Sequence, residues 1–205
     1  MSLSNFHYLY QDRAANQTLV LLHGTGGDEH DLLPLADRLI DQANLLSLRG
    51  NVSENGLRRF FKRLDWGVFD EDNIRHEASQ LKDFLVSFSE QQQLPLNQFI
   101  FLGYSNGANM ILALLFLYPQ LVQRAVLLHP MLPLQPGPID LSGTNIILTY
   151  GQSDQMIAAA DSQQVVSTLR ELGATVQEFA HPHGHEIREE EVRFVVQALR
   201  THDQG

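Results

Sequence analysis

The pentapeptide Gly103-Tyr104-Ser105-Asn106-Gly107 constrains the fold of this chain more than any other feature, because of what stands on either side of it. Before it runs the apolar segment Phe99-Ile100-Phe101-Leu102, and after it comes Ala108-Asn109-Met110-Ile111-Leu112-Ala113-Leu114-Leu115, which reads as a helix. A strand that turns this sharply into a helix forces the central serine into a strained backbone conformation and leaves its hydroxyl exposed above a sheet. The glycines follow from the same geometry, since a Cβ at either position would clash as the helix packs back across the strand. A serine held in this way is placed as a nucleophile.

Elsewhere in the chain, short apolar strands alternate with helical patterns, which predicts an α/β fold: a mostly parallel sheet with helices on both faces. Strands are expected near 18–23, 44–48, 98–103, 124–129, 145–150 and 174–180, with an antiparallel edge near 6–10. A helix over 72–91 places Ile74, Ala78, Leu81, Leu85 and Phe88 on one face. Val165, Val166, Leu169 and Leu172 do the same before Gly173, and Ile187, Val192, Val195, Val196 and Leu199 define the last helix. Pro34 suits the helical pattern over 28–40 only in its first turn, where the missing N–H is tolerated. The chain of 205 residues has no repeat, linker or low-complexity tract, so one domain over 1–205 is expected.

Two further segments join the serine in a constellation. Thr18-Leu19-Val20-Leu21-Leu22 ends in His23-Gly24-Thr25-Gly26-Gly27, a turn of the kind that lends one backbone N–H to an oxyanion hole; the residue after the nucleophile, Asn106, lends the other. Asn145–Tyr150 reads as a buried strand followed by Gly151-Gln152-Ser153-Asp154. Ala174–Phe179 makes a last strand, followed by His181-Pro182-His183-Gly184-His185-Glu186-Ile187. Serine, then an acid after one strand, then histidine after the next is the chain order of α/β-hydrolase triads. The chemistry needs these residue types together. A serine hydroxyl is a poor nucleophile without a base to take its proton. An imidazole, with an unperturbed pKa of about 6.5, can accept and return that proton. A carboxylate then fixes the imidazole tautomer and stabilises the imidazolium. Ser105, His185 and Asp154 are expected to fill these roles.

Three histidines compete for the base. His181 and His183 sit close to Pro182 and the strand end, whereas His185 follows a glycine and opens the last helix, so His185 is favoured. The same three imidazoles could instead bind zinc. No H-E-x-x-H helix or cysteine ligand set accompanies them, and no metal or cofactor is expected. His23 is expected to brace the oxyanion turn, and His129 closes a strand. His7, His30, His76 and His202 lie in polar surroundings.

In these motifs the chain resembles the carboxylesterase/phospholipase/thioesterase branch of the α/β-hydrolase superfamily, and within it the small bacterial hydrolases linked to methylhydroquinone response. The resemblance is carried by Leu22–Glu29, Arg49-Gly50-Asn51-Val52-Ser53-Glu54-Asn55-Gly56, Arg59-Phe60-Phe61-Lys62-Arg63, Gly67-Val68-Phe69-Asp70, Gly103–Gly107 and Gly184-His185-Glu186, in order along nearly the whole chain. It implies the same triad and an oxyanion pair of Thr25 and Asn106. Two positions depart from the pattern: Leu48, where proline precedes the arginine, and Trp66, in a segment that is otherwise less bulky. Both bear on specificity and not on the chemistry.

Ligands of open α/β sheets bind beyond the carboxyl ends of the strands, where segments 49–71 and 130–144 begin. The second carries Pro130, Pro133, Pro136 and Pro138 and is too short for a separate cap domain. The site is therefore expected to be open, or covered only by 49–71. Phe60, Phe61, Trp66, Met131 and Met156 are the expected substrate-binding residues, with Phe69 and Leu132 near them; the alternative is that most of these are core, which for any single one is the safer reading. Arg49, Arg58, Arg59, Lys62 and Arg63 also fall there and would attract an anionic substrate. Glu54, Asp65, Asp70 and Asp72 nearby favour internal pairing instead.

A formal net charge of -10 argues against a nucleic-acid partner, whose phosphates the surface would repel. Without cysteine there is no disulfide frame, thiol nucleophile or thiolate metal site. The apolar run Met110–Tyr118 is too short to span a bilayer and stops at Pro119, so no stable membrane insertion is expected. The first residues carry no charged-then-apolar signal, and a cytoplasmic location is the expectation. The resulting reading is a serine hydrolase of small-molecule carboxylic esters, with thioesters, lysophospholipids and a homodimer left open. The alternatives from other classes are a non-catalytic binding or regulatory protein on the same fold and a metal-dependent hydrolase.

Overall fold

The computed structural model describes residues 6–65 and 67–202. It begins with strands β1 (Tyr8–Gln11) and β2 (Thr18–Leu22), helix α1 (Leu33–Leu39) and strand β3 (Asn44–Leu48). Two small hairpins follow, β4 (Val52–Glu54) with β5 (Leu57–Arg59) and β6 (Arg63–Asp65) with β7 (Val68–Phe69). Then come α2 (Glu71–Gln92), β8 (Phe99–Tyr104), α3 (Asn106–Leu117), β9 (Arg124–Leu128), β10 (Asn145–Gly151), α4 (Ala159–Glu171), β11 (Thr175–His181) and α5 (Glu189–His202).

Seven strands form the main sheet in the order β1-β3-β2-β8-β9-β10-β11. All neighbours run parallel except β1, which pairs antiparallel with β3 at one edge. The chain leaves β2 through α1 toward β3 on one side, and leaves β8 through α3 toward β9 on the other. The strand order therefore reverses between β2 and β8, and such a switch point opens a crevice at the carboxyl ends of the two strands. This topology brings the loop after β2 beside the turn after β8.

Strand alternation divides the interior into two layers. Val20 and Leu22 of β2 face a core shared with Ile74, Leu81 and Phe84 of α2, most of α3, and Val165 and Leu169 of α4. Leu19 and Leu21 face the opposite core, which holds Ala36 and Leu39 of α1 and Val192, Val195 and Leu199 of α5. Residues Asn106 to Phe116 of α3 are all buried, because this helix packs between the sheet and α2. Asp70 caps α2 by accepting the Asn73 N–H at 3.0 Å, and Gln93 ends it in the left-handed region at φ 56°. Pro34 sits in the first turn of α1, as expected.

The predicted strands of the main sheet agree with the observed ones to within a residue or two. The 49–71 segment does not: it holds four short strands that hydrophobic periodicity did not predict. The stretch 130–144 carries no helix. No helix among the described residues is long and apolar enough to cross a membrane.

Candidate active site

Ser105 occupies the turn between β8 and α3 with φ 52° and ψ -113°, a strained conformation for a residue with a Cβ. Its N–H donates to Leu128 O at 2.8 Å and its carbonyl accepts from Asn109 N–H at 3.0 Å, so bonds on both sides hold the strain. A Cβ on Gly107 would run into the Leu22 carbonyl, and one on Gly103 would lie 2.6 Å from Ala108 N. Both obstacles are backbone, which no side-chain repacking relieves.

Asp154 and His185 reach Ser105 from the loops after β10 and β11, two and three strands across the sheet from β8. The Ser105 hydroxyl lies 3.0 Å from His185 Nε2, and His185 Nδ1 lies 2.6 Å from Asp154 Oδ2. The loops that carry Asp154 and His185 are tied together beyond the ends of β10 and β11: Gln152 N–H donates to His181 O and Ser153 N–H to His183 O. Gly151 permits this approach, because a Cβ there would strike the carbonyls of Gly184 and His183. The Asp154 side chain is buried, which disfavours its charge. The hydrogen bond from His185 and those from the N–H groups of Ile157 and Met156 outweigh that burial and hold its carboxyl below the usual range. Tyr104, just before the serine, donates its hydroxyl to His185 O at 2.9 Å and lays its ring 5.3 Å from the imidazole. Burial, assisted by the carboxylates of Asp154, Glu191 and Glu186, pushes its phenol up to about 12, so it remains a donor at neutral pH.

The loop after β2 lines the other side of the crevice. The backbone N–H groups of Thr25 and Asn106 have no acceptor among the described residues. His23 fixes this loop. Gly50 N–H donates to its Nε2 at 3.0 Å, so that nitrogen carries no proton and Nδ1–H donates to Gly24 O at 2.6 Å. Burial lowers the His23 pKa and keeps the ring in this neutral form.

A second layer of polar groups, which sequence reasoning missed, lies behind Asp154. His129 is fully buried, with φ 52°, and places Nδ1 3.3 Å from Asp154 Oδ2 and Nε2 3.4 Å from Glu191 Oε1. Glu191 is also fully buried. It accepts the hydroxyl of Thr149 and the Arg188 N–H, and lies 3.7 Å from Nε2 of buried His181. The only signal in the sequence was a glutamate among the apolar positions of the last helix. His181, His183 and His185 do not converge on one point: His181 faces Glu191, His183 faces Glu190 at 3.6 Å, and His185 faces Ser105 and Asp154. The groups that do bring ligand atoms within 4.8 Å of one another are His129-His181-Glu191, His129-Asp154-His185 and Asp28-Glu29-His30.

A cavity of about 330 Å³ opens over Ser105, lined by Thr25, Asn106, Asn109, Met131, Met156 and Ile157, with Leu57, Arg59, Arg63, Gly67 and Phe69 from the 49–71 segment. A larger depression of about 530 Å³ lies on the α1/α5 face, away from Ser105, His185 and Asp154, none of which lines it. Of the expected substrate-binding residues, Met131 and Met156 line the cavity over Ser105. Phe60 and Phe61 do not. Both are buried in the main core, with the Phe60 ring 4.8 Å from that of His23 and the Phe61 ring 5.1 Å from that of Phe69. The pair looked like a cavity wall because periodicity cannot tell which way a short loop strand turns its side chains. Trp66 lies outside the described residues. The basic cluster is partly paired internally: Arg49 forms a two-pronged pair with Glu29, and Arg63 donates to Glu54 at 2.6 Å.

Comparison with known proteins gives the family of the chain. The phospholipase/carboxylesterase family profile covers residues 8–203. MhqD of Bacillus subtilis (strain 168), named as a hydrolase, is 38% identical over 185 residues, which are 90% of this chain and 92% of that protein. The crystal structure of the Bacillus cereus carboxylesterase superposes with a TM-score of 0.92 at 35% identity, covering 97% of this chain and 95% of the other. A carboxylesterase from Mesorhizobium loti superposes with a TM-score of 0.91 at 32% identity, covering 97% of each chain. With a match over nearly its whole length and the same α/β-hydrolase fold, this chain belongs to the phospholipase/carboxylesterase family of hydrolases.

Proposed function

We propose that this chain hydrolyses small carboxylic esters through an acyl-enzyme on Ser105, with His185 as general base and acid and Asp154 as its orienting carboxylate. The observation that carries this reading is the continuous chain of contacts from Ser105 Oγ to His185 Nε2 at 3.0 Å and from His185 Nδ1 to Asp154 Oδ2 at 2.6 Å. As Ser105 Oγ attacks the ester carbonyl, its proton passes to His185 Nε2. The negative charge that develops on the carbonyl oxygen is taken up by the N–H groups of Thr25 and Asn106. His185 then gives the proton to the departing alkoxide or thiolate, leaving an ester bond between the acyl group and Ser105. Water, losing its proton to the same nitrogen, attacks that ester, and collapse of the second tetrahedral intermediate returns the proton to Ser105 as the acid leaves. Asp154 remains ionised throughout, holding Nδ1–H and leaving Nε2 free to accept.

The test is covalent labelling by a fluorophosphonate, read by intact mass and peptide mapping. The expected result is one adduct on Ser105, none on Ser105→Ala, and a fall in ester turnover of about a million-fold in that variant. Turnover above a tenth of wild type in Ser105→Ala, with contamination excluded, rejects the assignment.

A further inference from the structure

The polar inventory of the cavity over Ser105 is one-sided. Thr25 Oγ1 accepts from Arg59 Nη1 at 2.7 Å, Asn106 Oδ1 accepts the Phe60 N–H at 2.7 Å, and Asn109 Oδ1 accepts the Met131 N–H at 2.9 Å. Two of these donors are backbone groups, which fixes both amide orientations. Apart from the nucleophile, every side-chain oxygen in the lining is thus engaged by a donor of the protein itself. What remains is donors. Asn106 Nδ2 is buried and has no hydrogen-bond partner among the described residues. Arg59 uses Nη1 on Thr25 and Nε on Phe61 O, and its Nη2 has no acceptor among them.

The charges are one-sided as well. Arg59 and Arg63 both line the cavity, and no aspartate or glutamate does. The two guanidiniums share one carboxylate outside the wall: Glu54 Oε1 takes Arg63 Nε at 2.6 Å, and Glu54 Oε2 lies 3.6 Å from Arg59 Nε. Glu54 thus sits in hydrogen-bond contact with Arg63, while Arg59 has a carboxylate only at 3.6 Å, in a protein whose formal net charge is -10. Arg59 is only 4% exposed, so its charge has little access to water. Its burial and the neighbouring Arg63 both work against the charged form, with Glu54 opposing them. Leu57, Phe69, Met131, Met156 and Ile157 supply the rest of the wall, an apolar surface suited to a short hydrocarbon spacer.

Resting on the hydrolase reading above, we infer that the substrate is a small ester carrying one carboxylate, which Arg59 Nη2 and Asn106 Nδ2 hold while its ester carbonyl lies at Ser105. One guanidinium nitrogen of Arg59 without an acceptor among the described residues, beside one unpartnered amide donor, suits a single carboxylate. The cavity, of about 330 Å³, accommodates a small molecule of this kind. Nothing in these contacts prefers the acyl over the alcohol side as the bearer of the carboxylate, so the test carries an arm for each.

Hydrolysis of matched pairs by the full chain decides it: monoethyl glutarate against ethyl pentanoate for an acyl-side carboxylate, and 3-acetoxypropanoate against propyl acetate for an alcohol-side one. In at least one pair kcat/KM should favour the anion by about tenfold or more, the scale of a hydrogen bond between charged groups. That ratio should fall toward one in Arg59→Met, whatever happens to the absolute rate. Glu54→Gln, which removes the carboxylate near Arg59, should raise it and serves if Arg59→Met does not fold. Ratios of one or below in wild type for both pairs, or a ratio unchanged in Arg59→Met or Glu54→Gln, overturn the inference while leaving the hydrolase reading in place. An equal loss on both members of a pair in Arg59→Met also overturns it and assigns Arg59 to the oxyanion. No turnover of any ester together with no fluorophosphonate labelling of Ser105 removes the hydrolase reading, and this inference with it.

Discussion

The side-chain oxygen of Asn106 accepts the Phe60 N–H at 2.7 Å, so the residue that follows Ser105 also anchors the 49–71 segment over the crevice. A second bond reinforces the join, from Gly26 N–H to Arg58 O at 2.8 Å. The hairpin β4–β5 is therefore fixed both to the loop after β2 and to the start of α3.

Asn106→Ala leaves a buried Phe60 N–H without its acceptor, which costs about 1–3 kcal/mol. For a chain of this size that lowers the thermal midpoint by roughly 2–4 °C per kcal/mol. Asn106→Asp keeps an acceptor oxygen and should recover most of the loss. Calorimetry on the three proteins checks the order; an alanine variant as stable as wild type would mean that the bond adds nothing to stability.

The histidine loop gives a sharper contrast. His185→Ala should abolish turnover nearly as fully as loss of the serine, and Asp154→Asn should lower kcat by about ten-thousand-fold, because an amide supports the wrong imidazole tautomer. His183→Ala should stay within a few-fold of wild type, since His183 faces Glu190 at the surface. Steady-state kinetics on the three variants decides it: an inactive His183 variant beside an active His185 variant would reverse the assignment.

The convergence of Ser105, Asp154 and His185 was legible in the chain because these side chains sit at strand ends, where the pattern changes period. Ser105, Asp154 and His185 each follow an apolar strand by no more than a few residues. The second layer was not legible. His129 and His181 read as strand-end residues, and their burial depends on Glu191, which arrives from α5 far along the chain. The 49–71 segment failed for a different reason. Its strands are two or three residues long, too short for alternation to register, although Asn55-Gly56, with φ values of 51° and 82°, carries the signature of a tight hairpin turn.

The burial of Phe60 and Phe61 separates stability from specificity in that segment. Phe61→Ala removes a fully buried ring and should cost about 3–5 kcal/mol, with little effect on the order in which esters are preferred. Met156→Ala, at the exposed cavity wall, should do the opposite, shifting relative kcat/KM among esters of graded chain length while leaving the melting temperature almost unchanged. A thermal shift assay beside an ester panel tests both. A specificity change in Phe61→Ala without loss of stability would return that ring to the cavity wall.

The buried pair of His181 and Glu191 makes stability depend on pH in two windows. Burial lowers the pKa of His181, as it does that of His23, below the ordinary histidine value of about 6.5. The unfolded chain therefore takes up these protons first, and stability begins to fall as pH drops through that value. Glu191 behaves as a depressed carboxylate. Burial raises its pKa, but His129, the Thr149 hydroxyl and the Arg188 N–H outweigh burial and bring it below the usual range. Its contribution is present above the unfolded value of about 4.3 and is lost as pH falls through the lower folded value. Glu191→Gln removes the carboxylate that raises the His181 pKa. It should therefore deepen the loss below pH 6.5 and flatten the loss below about 4.3. Urea midpoints measured from pH 8 to pH 3 read both limbs; a variant curve parallel to wild type throughout would show that Glu191 is not coupled to His181.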